Sequence, residues 1–131
     1  MNMGVNEFRV IIAGSRDFED YDLLCKKCDY YLSKKLQDPF LTVIVVSGHA
    51  KGADSLGERY AKERNLRCEV FPADWEGLGR KAGMVRNIKM AKISNCAIVF
   101  LSAYGENIGS QNMIELAKKQ GLPVRIVEEE A

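Results

Sequence analysis

The chain is short of histidine, proline and tryptophan, and it carries almost no net charge. One histidine, three prolines and one tryptophan occur in 131 residues, and 19 Lys and Arg are set against 18 Asp and Glu. Each shortage excludes something. No Ser/His/Asp set is visible around His49, the only histidine, and a Cys/His zinc site lacks ligands. A formal charge of +1 argues against a protein that grips nucleic acid by unspecific phosphate contact, which takes a strong basic excess. No apolar run is long enough to cross a bilayer, so no membrane partner is expected. The start, Met1-Asn2-Met3-Gly4, has no charged-then-apolar leader, which points to a cytoplasmic protein.

Four cysteines are present: Cys25, Cys28, Cys68 and Cys96. Cys25-Lys26-Lys27-Cys28 is a C-x-x-C inside a helical pattern, with no second pair. A redox site of the thioredoxin type would start a helix directly after a strand. The four are read as reduced structural thiols, with no metal and no required cofactor.

What is present suits one globular domain over residues 1–131. The chain is 47% hydrophobic and 28% charged. Phe8–Ala13, Leu41–Val46, Arg67–Phe71, Cys96–Leu101 and Pro123–Val127 read as five strands. Four helical patterns lie between them. Asp20 can cap the first, whose apolar face is Leu24, Cys28, Tyr31 and Leu32. Asp54 can cap the second, with Leu56, Tyr60 and Ala61 inward. The third runs from near Arg80 to about Ser94, with Met84, Ile88 and Ala91 as its core stripe. Ser110 can cap the fourth, with Met113, Leu116, Ala117 and Gln120 inward. The economical fold is α/β: a Rossmann-like three-layer sandwich, its five-stranded parallel sheet ordered 3-2-1-4-5 with helices on both faces.

In such a sheet the loops at 14–18, 47–54, 73–80 and 102–110 share one edge, and the switch point falls between the first and fourth strands. The working centre is expected at Ser47-Gly48-His49-Ala50-Lys51-Gly52-Ala53-Asp54. Strand, glycine turn and helix there would aim free backbone N–H groups at an anion. The plainer reading is a turn that merely needs small residues. Gly14, Ser15, Arg16, Asp74, Trp75, Arg80, Gly83, Arg86, Asn87, Gly109 and Ser110 would crowd the same crevice. Guanidinium groups and helix N-termini suit phosphate. An indole can stack a base, although a lone Trp also serves as packing. His49 is expected at the rim, or as a hydrogen-bond donor to the ligand, rather than as a general base.

Four segments carry a resemblance, in order over nearly the whole chain. They are Gly14-Ser15-Arg16-Asp17-Phe18; Ser47-Gly48-x-Ala50-x-Gly52-Ala53-Asp54; Phe71-Pro72-Ala73-Asp74-Trp75; and Gly79-x-Lys81-Ala82-Gly83-x-x-Arg86-Asn87. Together they resemble the YspA-like branch of the SLOG superfamily, which groups the Smf/DprA DNA-processing proteins with the Lonely Guy phosphoribohydrolases. The resemblance implies a domain that binds nucleotides or nucleotide-derived ligands such as ADP-ribose or NAD derivatives. His49 stands where glycine is usual in this branch, and Gly109-Ser110 replaces Gly-Thr. Arg80-Lys81-Ala82-Gly83-Met84 is similar to the R-K-x-x-M of the Lonely Guy enzymes. Met113, however, stands where their motif glutamate belongs. Glu115 lies about 200° further round the helix and points elsewhere.

The expected function is therefore binding or sensing of a nucleotide-derived ligand, with a homo-oligomer left open. The alternative is a nucleoside-monophosphate phosphoribohydrolase using Arg80 as its catalytic residue. Single-stranded DNA binding of the DprA type ranks last, and nucleic acid is not an expected partner.

Overall fold

The computed structural model describes residues 6–105 and 107–130. The stretch Met1–Gly4 and Glu106 of the fourth loop, both used above, lie outside the described residues. The order is β1 (Asn6–Gly14), α1 (Tyr21–Tyr31), a one-turn α2 (Ser33–Leu36), β2 (Leu41–Ser47), α3 (Ala53–Glu63), β3 (Arg67–Val70) and α4 (Trp75–Leu78). A 3-10 turn (Gly79–Lys81) leads into α5 (Ala82–Ile93), then β4 (Cys96–Leu101), α6 (Ile108–Lys119) and β5 (Val124–Glu128). All four pairings are parallel, and the sheet runs β3-β2-β1-β4-β5. That is the order read from the sequence.

The strand patterns explain the order. β1, β2 and β4 hold continuous buried runs, Val10–Ala13, Val43–Val46 and Ala97–Leu101, as strands covered on both faces must. β3 and β5 are mostly exposed and form the edges. Alternate residues divide between two layers. Val10, Ile12, Val45, Ile98 and Phe100 meet Leu24 and Cys28 of α1 and Tyr60 of α3. Ile11, Val46 and Val99 meet Met90 of α5 and Met113 and Ala117 of α6. Cys28 belongs to the first layer, and all four thiols are free. No helix among the described residues is long and apolar enough to cross a membrane.

Asp20 caps α1 as expected, accepting from the Leu23 N–H at 3.0 Å. Two other expected caps are corrected. The cap of α3 is Gly52, at φ +78°, so Asp54 falls inside the first turn. The cap position of α6 is Asn107, and Ser110 likewise falls inside. A capping side chain is worth only about 1 kcal/mol, and tertiary contacts outweigh it here. The Ala53 N–H is drawn to the Ser15 carbonyl at 3.1 Å, which starts α3 early. Asn107 is held by Ser15 Oγ.

The core stripe of α5 is also corrected. Ala82, Asn87, Met90 and Ala91 are the buried residues, whereas Met84 is 48% exposed. A hydrogen bond from the Asn87 amide to Asn112 of α6, 3.0 Å, fits a helix orientation in which Met84 borders the crevice and not the core. The segment expected as a loop around Trp75 contains α4, capped by Asp74, whose Oδ1 accepts from the Gly77 N–H at 2.9 Å. On α6 the inward side is Ser110, Met113, Ile114 and Ala117; Gln120, expected inward, is exposed.

Candidate functional site

A cavity of about 780 Å³ opens at the carboxyl ends of the strands, over β1 and against α5 and α6. Its size falls within the range of small-molecule sites. Three segments build its walls. Ala13 to Asp17 leave β1. Trp75, Arg80 and the first two turns of α5 form the second wall, and the first turn and a half of α6 forms the third. Ala50 and Asp54 reach it from the α3 side, and Met90 and Met113 give it an apolar floor.

The β1 wall is rigid. Ser15 Oγ donates to Asn107 Oδ1 and accepts from the Ser102 N–H at 3.0 Å, joining the loops after β1 and β4. The α6 wall is open. The side chain of Asn107 makes no capping bond. Ser110 is 5% exposed, lines the cavity and its side chain makes no hydrogen bond to a described residue. A Cβ built on Gly109 would meet nothing within 4 Å. The first N–H groups of α6 have no intrahelical acceptors, by the geometry of any helix, and carry partial positive charge. Arg16 and Arg80 line the same space.

Asp54 and Arg86 form the innermost polar group. Asp54 Oδ2 accepts from the Ala50 N–H at 3.3 Å. Burial pushes its carboxyl up to about 6, against the pull of the Ala50 and Gly14 amides and the Arg86 charge. Burial also pulls the Arg86 guanidinium below its usual value, and the nearby Arg16 adds to this while Asp54 opposes it. Arg86 Nη1 donates to the Gly48 carbonyl, and its Nε donates to Asn87 Oδ1 at 2.8 Å. The indole of Trp75 lies beside Gly83, 3.5 Å from where a Cβ would stand. At 52% exposed it is a free platform for a planar group.

The structure brings Gly14, Ser15, Arg16, Asp54, Trp75, Arg80, Gly83, Arg86, Asn87, Gly109 and Ser110 together around the cavity, as expected. Ser47, Gly48, His49, Gly52, Ala53 and Asp74 do not line it. Their groups are engaged elsewhere. Ser47 Oγ donates to Glu58 Oε2 at 2.7 Å and accepts from the His49 N–H at 3.1 Å. His49 Nδ1 lies 2.9 Å from the same carboxylate oxygen. Asp74 caps α4. Of the N–H groups expected to be free in the Ser47–Asp54 stretch, those of His49, Ala50 and Ala53 instead donate within the protein.

Ala50, part of the expected centre, does line the cavity, and sequence reading missed several other lining residues: Ala13, Met84, Met90, Ile108 and Asn112. Met84 was hidden by its apolar character, which suits a core stripe equally well. Asn112 had a signal in its position two residues after Ser110, at the start of a helix facing the crevice.

Comparisons with known proteins agree with this architecture. The chain is 32% identical over 121 residues to the Gene 61 protein of Mycobacterium phage D29, covering 88% of this chain and 93% of the phage protein. Its fold is similar to that of DNA processing protein A (DprA) from Streptococcus pneumoniae, with a TM-score of 0.64 at 17% identity. That match covers 95% of this chain but only 51% of DprA, so the chain spans about half that protein's length. The model of the YspA, cpYpsA-related SLOG family matches residues 8–77. With strand order, crevice and sequence in agreement, the chain belongs to the YspA, cpYpsA-related SLOG family.

Proposed function

We propose that the crevice binds a nucleotide or nucleotide-derived ligand of the ADP-ribose or NAD type, as a binding or sensing module. The observation that carries this is the start of α6, which opens with Ser110 into the cavity, whose other walls carry Arg16 and Arg80. A phosphate there would accept from helix N–H groups, a hydroxyl and guanidinium donors together. Trp75 would cover the base. Arg80 would take the ribose or a second phosphate. Arg86 is a lesser candidate for ligand contact, since the Gly48 carbonyl and Asn87 already hold it.

Calorimetry and thermal melting with nucleoside phosphates, ADP-ribose and NAD test the reading. A ligand at one hundred times its Kd should raise the melting temperature by about 10 °C. Ser110→Ala should weaken binding about tenfold and leave the melting temperature of the free protein unchanged. If no phosphorylated nucleoside stabilises the wild type, the reading falls.

Cleavage of an N-glycosidic bond is a second reading, and Asp54 is the observation in its favour. A buried carboxyl at about 6, lining the cavity, has the acidity of a general acid or base near neutrality. Arg80 would be the catalytic residue matching the Lonely Guy pattern. Against it, the position of that pattern's glutamate holds the buried thioether of Met113. Release of free base from nucleoside monophosphates, lost in Arg80→Ala and in Asp54→Asn, would establish it.

A further inference from the structure

A chain of side-chain hydrogen bonds runs from the turn after β2 to the cavity, and its polarity is fixed at one end. Arg86 Nε faces Asn87 at 2.8 Å, and Asn87 faces Asn112 at 3.0 Å. A guanidinium has N–H donors and no acceptor. The Asn87 atom that meets Arg86 must therefore be the amide oxygen. The amide nitrogen of Asn87 is then turned to Asn112, and because it only donates, the Asn112 atom that receives it must be oxygen. Arg86 is itself anchored by its donation to the Gly48 carbonyl. The orientation of both amides follows from donor chemistry alone.

Asn112 is left with its Nδ2 amide toward the remaining space. The residue is half-buried, lines the cavity, and its Nδ2 meets no acceptor among the described residues. Resting on the nucleotide reading above, and narrowing it away from the adenine of ADP-ribose and NAD, we infer that Asn112 is the residue that selects the base: its Nδ2 donates to an exocyclic oxo group and rejects an amino group. The base, and not the phosphate, is the part it reads. The phosphate is drawn to Ser110, Arg16 and Arg80. Trp75 lies on Gly83, and Asn87 stands four residues further along α5 on the same side of the helix. A ring stacked on the indole and extending along α5 meets the Asn87–Asn112 pair edge-on. An amino group there sets donor against donor and leaves both unpaired, which costs more than a missing bond.

The test uses the full-length protein, titrated calorimetrically with inosine and adenosine 5′-monophosphates and with uridine and cytidine 5′-monophosphates. Within each pair the oxo member should bind about tenfold more tightly. Asn87→Asp reverses the polarity while leaving Asn112 itself unchanged, so the readout is the ranking within each pair and not the absolute affinity. The new carboxylate accepts from Arg86 and has nothing to donate, so Asn112 turns its nitrogen inward and shows its oxygen to the cavity. The ranking within each pair should then invert. If Asn87→Asp does not give a cooperative melt, Asn112→Asp carries the same test, because its carboxylate still accepts from Asn87 and presents only acceptors. An unchanged ranking in the variants, or no preference in the wild type, overturns the assignment while the nucleotide reading stands. If the wild type binds ADP-ribose but none of the four, the assignment is overturned while the nucleotide reading stands; if it binds neither, the nucleotide reading has failed first and takes this one with it.

Discussion

Two glycine-bearing turns end at the same edge of the sheet, and their polar groups have opposite fates. In the turn at 47–53, after β2, nearly everything is spoken for. Ser47, His49, Ala50 and Ala53 all bond within the protein, and Gly48 and Gly52 let Arg86 and the Ser15–Arg16 backbone press against the chain. In the segment from Ser102 to Ser110, after β4, the groups nearest the cavity are open. Gly109 has empty space beside it, and the side chain of Ser110 makes no bond to a described residue. The difference teaches what a glycine pattern can say. It marks where something approaches the backbone closely. Whether that is a ligand or another part of the same chain depends on the neighbours.

The sharpest way to break the comparison is to put a methyl group in each turn. At Gly52, φ is +78° and a Cβ would run into the carbonyls of Ser15 and Arg16. Both objects are backbone and cannot swing away. Gly52→Ala should cost about 3 kcal/mol or more in urea unfolding. At Gly109 the methyl enters open space inside a helix, so Gly109→Ala should stay within about 0.5 kcal/mol. Its effect should appear instead in nucleotide affinity. Equal losses of stability in the two variants would erase the distinction.

Protonation sharpens it at a smaller scale. Asp54, the link from the scaffolding turn to the cavity, has its carboxyl raised from 3.8 to about 6, chiefly by burial. Between those values the folded protein binds more protons than the unfolded chain. This group's contribution therefore favours folding most below about pH 4, falls as pH rises through 6, and stays low above. The amplitude is of order 3 kcal/mol. Asp29 behaves oppositely. Bonding to Arg64, helped by the Tyr60 hydroxyl, lowers its carboxyl, so its contribution is present at neutral pH and lost on acidification. Stability of Asp54→Asn relative to wild type, measured from pH 4 to 7, should rise with pH. A flat difference would show that the carboxyl ionises like an exposed one.

These contrasts show how much the sequence could tell. Strand order was legible because three uninterrupted apolar runs and two mixed ones leave little freedom in a parallel sheet. That the loops share one edge followed from the topology. What each loop residue faces did not, because it depends on angles that periodicity does not encode. Met84 looked like core, yet α5 is oriented with Asn87 bonded to Asn112 and Met84 bordering the crevice. Asp54 and Ser110 looked like caps, yet the cap positions lie two and three residues earlier, at Gly52 and Asn107, to suit Ser15. The buried face of α6 was read nearly correctly because Met113 and Ala117 sit against the sheet, where only apolar groups fit.

The smallest expected effect bears most directly on the comparison. His49 is held at φ +61°, in the left-handed region that side chains other than glycine adopt only at a cost. What keeps it there is the packed turn around it, its Nδ1 lying 2.9 Å from Glu58. That pair is well exposed on the histidine side and contributes little. His49→Gly should relieve the strain but also loosen the unfolded chain, for a net gain of about 0.5 kcal/mol. Because His49 lies outside the cavity lining, nucleotide affinity should not change. A gain in stability with unchanged binding places the turn wholly in the scaffold. A loss of binding would bring the ligand across to the turn after β2, and the two turns would then share one task.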